Sequence, residues 1–195
     1  MDSDIQFLAS YIKQTISIEP EKAIAIASKF RKKEWVKGDV FLKEGAISDE
    51  YLLLERGFMR SYLFDVDGNE ITLNFFSQKT PVFEVGSFFQ RIPSQENMEA
   101  LTDAAGWVLS FNELNGLFHA IPEFREFGRA VLVKGFVAFK NRTLSMINKT
   151  ADQRYEALLY SNPEIFQNAS LKHIASYLGV TDTSLSRIRK KFSQK

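Results

Sequence analysis

The C-terminal quarter of the chain concentrates hydrogen-bonding and cationic side chains in one short segment. They are Asp182, Thr183, Ser186, Arg187, Arg189, Lys190 and Lys191. A guanidinium group can donate two parallel hydrogen bonds to a guanine edge, and ammonium groups neutralise phosphates. Hydroxyl and carboxylate groups add donors and acceptors for other base edges. The segment therefore has the chemistry of a surface that contacts double-stranded DNA.

The charge of the chain is segregated in the same direction. Residues 171–195 contain six basic residues and one acidic residue, a net charge of +5, whereas the whole chain carries +1. Residues 1–170 therefore carry −4. This asymmetry is typical of a protein whose basic C-terminal segment binds a partner and whose remaining part is neutral or acidic.

Two short helices must position these side chains, in the stretch LKHIASYLGVTDTSLSRIRKK of residues 171–191. Gly179 can adopt the left-handed conformation that ends a helix, and Thr181 can cap the next one. Helical spacing predicts that the inward-facing residues are Leu171, Ile174, Leu178, Leu185, Ile188 and Phe192. The pattern resembles the helix-turn-helix of bacterial regulators. An ordinary pair of surface helices is the alternative.

The first two thirds of the chain change from helical to strand patterns. Residues 4–30 predict two helices separated at Pro20, and short apolar runs with turn glycines then predict a β-sandwich or barrel. The turn glycines are Gly38, Gly45, Gly57 and Gly68. SYLFDVDGNEITLNFF, residues 61–76, predicts a hairpin about Asp67-Gly68. Its half-buried face is expected to hold Tyr62, Phe64, Val66, Ile71, Leu73 and Phe75.

A long helix is predicted over residues 123–148, with two apolar stripes. One is a heptad-like seam that includes Leu132, Phe136, Phe139 and Met146, and the other contains Val133, Val137, Leu144 and Ile147. Two stripes need two surfaces, which the β-body and the same helix of a second subunit can supply. A helix embedded in its own domain is the alternative. The predicted domains are therefore residues 1–122, 123–148 and 149–195.

Over residues 15–192 this order of elements resembles the Crp/Fnr family of regulators. FEVGSF, residues 83–88, resembles the start of the phosphate-binding cassette in that family's cyclic-nucleotide-binding β-roll. The resemblance implies an α+β fold: an N-terminal double-stranded β-helix of the jelly-roll type, a dimerisation helix and a C-terminal helix-turn-helix. It also implies a homodimer with an effector pocket in each β-roll and a recognition helix in the major groove. RNA polymerase is a further candidate partner.

The implied effector pocket contains Phe83, Glu84, Val85, Gly86, Ser94 and Gln95. The family's phosphate-neutralising arginine falls on Ser94, and Glu96 follows two residues later. A carboxylate where a fixed cation is needed disfavours phosphate, so cyclic AMP is not expected to bind in the family's usual manner. Arg91 could compensate. Otherwise the pocket is expected to hold another small molecule or its own aromatic side chains, and the sequence identifies no cofactor.

The implied base-reading positions are Asp182, Thr183 and Arg187, of which Arg187 matches the family's guanine contact. Asp182 can strengthen the helix N-terminus or accept a hydrogen bond from cytosine. Because the sequence given ends at Lys195, a complete wing is not expected, and the basic cluster of Arg189, Lys190, Lys191 and Lys195 gains importance.

Several classes of function are disfavoured. The chain has no cysteine, which excludes disulfides, thiolate zinc sites and cysteine nucleophiles. Its two histidines, His119 and His173, are far apart in sequence, so we expect no metal site and disfavour a metal-dependent β-barrel enzyme of the cupin kind. Neither a secretory signal nor a membrane span is visible, which predicts a cytoplasmic protein without a membrane partner.

Two hypotheses follow. The first is a dimeric, sequence-specific DNA-binding transcription regulator, not an enzyme, with an altered effector pocket. The second is a ligand- or partner-binding signalling module that has lost specific DNA binding, a hypothesis motivated by Asp182 and the missing wing.

Overall fold

The computed structural model describes residues 3–193. Its helices are α1 (Ser3–Thr15), α2 (Pro20–Ala27), α3 (Val85–Gln90), α4 (Phe111–Ala120), α5 (Pro122–Asn148), α6 (Ala151–Ser161), α7 (Ile165–Asn168), α8 (Leu171–Leu178) and α9 (Asp182–Phe192). Its strands are β1 (Arg31–Trp35), β2 (Val40–Leu42), β3 (Glu50–Arg56), β4 (Met59–Phe64), β5 (Glu70–Phe76), β6 (Pro81–Val82), β7 (Asn97–Ala100) and β8 (Ala104–Ser110).

The strands form two four-stranded antiparallel sheets, in the orders β1-β8-β3-β6 and β2-β7-β4-β5. Strand β3 shows how the sheets build two cores. Leu52 and Leu54 face the core between the sheets, whereas Tyr51 and Leu53 face a second core under α1, α2, α4 and the start of α5. This alternation follows from the two-residue period of a strand whose two faces are both covered. The predicted α+β fold with a jelly-roll β-domain is confirmed.

A tight connection between β3 and β4 requires glycine. Gly57 has φ of 92°, and a Cβ atom there would lie 2.5 Å from the carbonyl oxygen of Asp103. Both the left-handed backbone and the close approach exclude a larger residue. One of the turn glycines noted in the sequence thus fixes the packing of neighbouring strands.

The hairpin of β4 and β5 is present, and Tyr62, Ile71, Leu73 and Phe75 of its predicted half-buried face are half-buried, but the prediction is wrong for Phe64 and Val66, which are exposed. Strand β4 ends at Phe64, and Val66 lies fully exposed in the turn. The turn begins at Asp65, whose carboxylate accepts hydrogen bonds from the amides of Asp67 (3.0 Å) and Asn69 (2.8 Å). The hairpin residues that are most deeply buried are Met59, Arg60, Ser61, Thr72 and Phe76. The bulge between Ser61 and Tyr62 shifts the register within the hairpin.

Helix α5 has the predicted extent and leaves the body of the molecule partway along. Pro122 occupies its first turn, and Phe124 and Phe127 are buried beside α4. Beyond Val131 the large apolar residues of both stripes are exposed. The alternative of a helix embedded in its own domain is therefore wrong. Among the helices of residues 3–193, even the 27-residue α5 lacks the sustained apolar stretch that a membrane span requires.

Helices α6–α9 share a third core. Its buried members include Tyr155, Leu158, Ile165, Ile174, Leu178, Leu185 and Ile188. Gly179 ends α8 with φ of 65°, as predicted. Leu171 does not join this core: it is the first residue of α8 and is 42 % exposed. Phe58 and Leu101, from the β-domain, belong to the same cluster, so the C-terminal helices also pack on the sheets.

Candidate nucleic-acid interface and effector pocket

Helix α9 is capped at its N-terminus and packed along its inner face. The Thr181 hydroxyl accepts a hydrogen bond from the Ser184 amide at 3.2 Å, which satisfies one of the free donors of the first turn. Leu185 and Ile188 are buried against α8, and the ring of Phe192 lies 5.2 Å from that of Tyr155. These contacts leave the opposite face of the helix to solvent.

The structure places every predicted DNA-contacting residue on the solvent side of α9. Asp182, Thr183, Ser186, Arg187, Arg189, Lys190 and Lys191 are all exposed. Within residues 3–193 the side chains of Arg187, Arg189 and Lys190 form no ion pair. Lys191 differs because its ammonium pairs with the Asp152 carboxylate of α6.

The charges along α9 match its dipole. Asp182 lies in the first turn, and Arg189, Lys190 and Lys191 lie in the last turn. A carboxylate near the helix N-terminus and cations near the C-terminus are both favourable. The predicted contribution of Lys195, and of any wing after α9, lies outside the described residues.

The cassette begins with a carboxylate that caps its own helix. Glu84 precedes α3, and its side chain accepts hydrogen bonds from the Gly86 amide at 2.9 Å and from the Ser87 amide. The resemblance assigns cassette amides to a ligand's phosphate. In this structure two of them bind Glu84 instead, so an incoming phosphate would have to displace a carboxylate.

The position of the family's arginine is closed and acidic. Ser94 is buried, and its hydroxyl both accepts from the Glu96 amide (3.0 Å) and donates to the Glu96 carbonyl (2.9 Å). Burial raises the pKa of the Glu96 carboxyl, and the nearby charge of Glu84 raises it further, against a hydrogen bond from Ser61 that lowers it. Two carboxylates therefore lie where a phosphate would need cations.

Arg91 does not turn toward this acidic pair. Its guanidinium donates to the Asp49 carboxylate at 2.5 Å and to the Ser48 carbonyl at 3.1 Å, and it stacks on the Phe111 ring at 4.3 Å. These three contacts hold the side chain against α4 and the loop before β3. In this arrangement Arg91 cannot also neutralise a ligand beside Glu84.

Phe83 lies in an aromatic cluster with Tyr51, Phe88 and Phe89, at ring-centre distances of 5.2, 5.3 and 6.1 Å. A cavity of only ≈ 20 Å³ adjoins this cluster, bounded by α4 and the first turns of α5. It is about the size of one water molecule, which is far too small for a nucleotide. The remaining predicted pocket residues do not line it: Val85 and Gln95 are exposed.

The seam of α5 is exposed in the single chain. The exposed fractions are 39 % for Leu132, 67 % for Phe136, 68 % for Phe139 and 41 % for Met146. The Met146 methyl group also approaches Gly179, so this seam residue serves the helix-turn-helix as well. A contiguous apolar surface of this kind is typical of a protein interface.

The two histidines lie in different parts of the fold. His119 contacts the Asn115 carbonyl within α4 at 2.8 Å, whereas His173 lies on α8. Among residues 3–193 no three potential metal ligands come together. Burial lowers the pKa of His173, and the nearby Arg60 charge lowers it further.

Sequence reasoning missed one set of residues, which lies between the β-domain and the C-terminal helices. Arg142, Ser176 and Tyr177 contact the backbone or side chains of β5. Arg142 lies beside the exposed apolar stripes of α5 and is itself half-buried. An arginine beside two apolar stripes was the available signal, but its partners are 69 and 35 residues away in sequence.

Comparisons with known proteins agree with this architecture. Residues 32–120 match the family model of the cyclic nucleotide-binding domain. No curated protein sequence matches the chain. Among solved structures, FixK2 from Bradyrhizobium japonicum is similar at 18 % identity, with a TM-score of 0.73 and 85 % of each chain covered.

Two further solved structures extend the comparison. A Crp/Fnr family protein from Eubacterium rectale has 16 % identity and a TM-score of 0.71, covering 92 % of this chain and 88 % of that one. The catabolite activator protein of Thermus thermophilus has 16 % identity and a TM-score of 0.57, covering 91 % and 85 %. Residues 32–120 are therefore similar to cyclic nucleotide-binding domains, and the chain as a whole has the fold of Crp/Fnr-type regulators.

Proposed function

We propose that this protein is a dimeric, sequence-specific DNA-binding transcription regulator of the Crp/Fnr type. The observation that carries the proposal is the outer face of α9, where three cations without an ion pair in residues 3–193 and several hydroxyls project from a capped helix on a buried core. Arg187 is the proposed guanine contact, and Asp182, Thr183 and Ser186 modify base preference. Arg189, Lys190 and Lys191 supply phosphate contacts.

The exposed seam of α5 supports the homodimer. Phe136 and Phe139 each expose about two thirds of their surface in the single chain. Pairing with the same helix of a second subunit would cover them and bring two recognition helices onto one face of the duplex. We accordingly divide the chain into an effector domain (1–122), a dimerisation helix (123–148) and a DNA-binding domain (149–195).

The cassette supports an altered effector response. The Gly86 and Ser87 amides bind Glu84, Arg91 is held by Asp49, and Glu96 adds a second carboxylate. We propose that cyclic AMP does not bind here in the family's usual manner. RNA polymerase as a partner and a cytoplasmic location stay predictions.

A selection of random DNA fragments by the full-length protein at low salt tests the proposal. We expect an enriched palindrome whose half-sites are about 10 base pairs apart, one turn of the duplex. Arg187→Ala should relax base preference at one position of each half-site. Lys190→Ala is the matched control: it should weaken binding to all sequences and reduce the salt slope by about 1.

Failure to enrich any palindrome would overturn the proposal. The second hypothesis, a signalling module without specific DNA binding, predicts absent or salt-insensitive DNA association. It would gain support only if the same preparation bound a small molecule or a protein tightly.

A further inference from the structure

One arginine joins the three parts of the molecule. Arg142 of α5 donates to the Leu73 carbonyl of β5 and to the Tyr177 carbonyl of α8, both at 2.9 Å. Its guanidinium also lies 4.1 Å from the centre of the Tyr177 ring. A planar guanidinium can make two directed bonds and one stacking contact together, which an ammonium cannot do. Arg142 thus connects the predicted dimer helix, the β-domain and the helix-turn-helix.

Strand β5 has backbone groups on its outer edge that bond to α5 and α8. It is the edge strand of its sheet, with a strand partner, β4, on one side. The Thr72 amide donates to the Ser176 hydroxyl of α8 at 3.1 Å. An edge strand exposes unpaired donors and acceptors, and α8 satisfies one of them. The rings of Phe75 and Tyr177, 5.1 Å apart, add an apolar contact beside it.

The turn of the helix-turn-helix is hydrogen-bonded to α6, through an arginine that also bonds to the segment between α5 and α6. Arg154 of α6 donates to the Leu178 carbonyl at 2.8 and 3.1 Å and to the Lys149 carbonyl at 2.7 Å. Lys149 and Thr150 are the extended residues between α5 and α6, where a hinge would lie. A Cβ atom on Gly179 would lie 2.6 Å from the Met146 methyl carbon. The end of α8 is therefore tied both to the hinge and to α5.

Charged groups face each other across the contact. Arg60 is buried on β4 and pairs with Glu70 of β5 (2.6 Å) and Glu99 of β7 (2.7 Å). The charges of these three residues act on His173 of α8, and Lys172 of α8 acts on Glu70. The Nδ1 atom of His173 is buried without a hydrogen-bond partner within the described chain. The docked arrangement therefore favours a neutral His173.

We propose that Arg142 is a positioning residue for DNA recognition: by holding α8 on the edge of β5, it sets the orientation of α9 relative to the dimer helix. This inference rests on the proposed function. While α8 is docked, the base-reading side chains of α9 remain exposed. Docking therefore preorganises α9 for DNA, because it lowers the conformational entropy that would otherwise be lost when DNA binds.

Hydrogen exchange at the Thr72 amide reports the contact directly in the full-length protein. We expect Arg142→Ala to speed this exchange at least about tenfold, because two bonds to a charged donor are lost and α8 undocks more often. Exchange of β8, in the other sheet, should not change. Arg142→Lys keeps the positive charge but loses the planar guanidinium that binds two carbonyl groups at once. It should give an intermediate rate of exchange at the Thr72 amide. Lys140→Ala, an exposed position on the same helix, is the control.

The same variants are then tested for affinity to the selected palindrome. Arg142→Ala should weaken specific binding about tenfold while Lys140→Ala leaves it unchanged. Unchanged Thr72 exchange in Arg142→Ala would overturn the inference, and so would faster exchange with equal or tighter DNA binding. If Arg142→Ala does not fold, Ser176→Phe, which removes the bond from the Thr72 amide and leaves the residues of α5 unchanged, replaces it in the affinity assay. Absence of any specific DNA binding by the wild-type protein would instead overturn the proposed function.

Discussion

Helices α9 and α3 are both short, and both begin with a side chain that caps the first turn, yet one is left open to a partner and the other is not. Thr181 caps α9 with a neutral hydroxyl, and the side chains that could bind DNA lie on a different face. Glu84 caps α3 with a carboxylate that occupies the amides a phosphate would need. A side-chain N-cap can therefore leave a helix free to bind a partner or occupy the amides that a ligand would use. The outcome depends on which group forms the cap.

The charges around the two helices reinforce the difference. Three cations of α9 have no ion-pair partner in the described chain, so little must be broken before they meet phosphates. Around α3 the nearest arginine, Arg91, is bound to Asp49, and burial together with the nearby charge of Glu84 raises the pKa of the Glu96 carboxyl. The outer face of α9 therefore favours an anion, whereas the carboxyl groups of the cassette disfavour one.

The largest expected effect tests whether two recognition helices act together. Replacing Phe136 and Phe139 with glutamate should place charges in the α5 seam and yield a monomer, because like charges would face each other across the interface. Loss of one of two linked half-site contacts should then weaken binding to the palindrome about 10²- to 10⁴-fold. Sedimentation and fluorescence anisotropy measure the two effects. Lys140→Glu on the same helix is the control, and a dimeric double variant would contradict this role of the seam.

The second prediction tests whether the hydrophobic core shared by α6–α9 stabilises the C-terminal helices. Ile174 is fully buried on α8, so Ile174→Ala should lower the free energy of unfolding by about 2–5 kcal/mol. Leu171→Ala, three residues earlier and 42 % exposed, should cost less than about 1 kcal/mol. Chemical denaturation separates the two. Equal losses would show that the C-terminal core is not packed as described.

A smaller effect tests the acidic character of the cassette. Because the pKa of Glu96 is raised in the fold, its charged form is disfavoured there, and stability is lost as pH rises through that pKa. Glu96→Gln should therefore raise the melting temperature at pH 7 by a few degrees. The gain should vanish near pH 4, below the ordinary carboxyl pKa of 4.5, where wild-type Glu96 is also neutral. Glu44→Gln, an exposed carboxylate, is the control. A gain that persisted at pH 4 would point to a cause other than charge.

The smallest expected effect is none. Millimolar cyclic AMP should leave the melting temperature unchanged, because only a ligand that binds the folded state in excess of its dissociation constant stabilises it. A shift of several degrees would show that the cassette rearranges, with Glu84 leaving the Gly86 and Ser87 amides. Differential scanning calorimetry at two ligand concentrations distinguishes these outcomes.

Much of the fold and of the proposed DNA-binding surface could be predicted from local patterns. The helix-turn-helix is specified by spacing within 21 residues, and Gly179 and Thr181 set its turn by their own conformational and capping preferences. The α5 seam and the jelly-roll turns follow from periodicity and glycine in the same way. The hairpin prediction failed at Phe64 and Val66 because the Asp65 side chain starts the turn two residues early.

The sequence by itself determined which side chains could meet DNA and that the cassette lacks its usual cation, because residue identity and short-range spacing decide both. Only the tertiary structure decided how those groups are used. It paired Lys191 with Asp152 across 39 residues, turned Arg91 toward Asp49 across 42, and brought Ser176 to the Thr72 amide across 104. Such contacts depend on strand register and on the docking of α8 against β5, which no local pattern encodes.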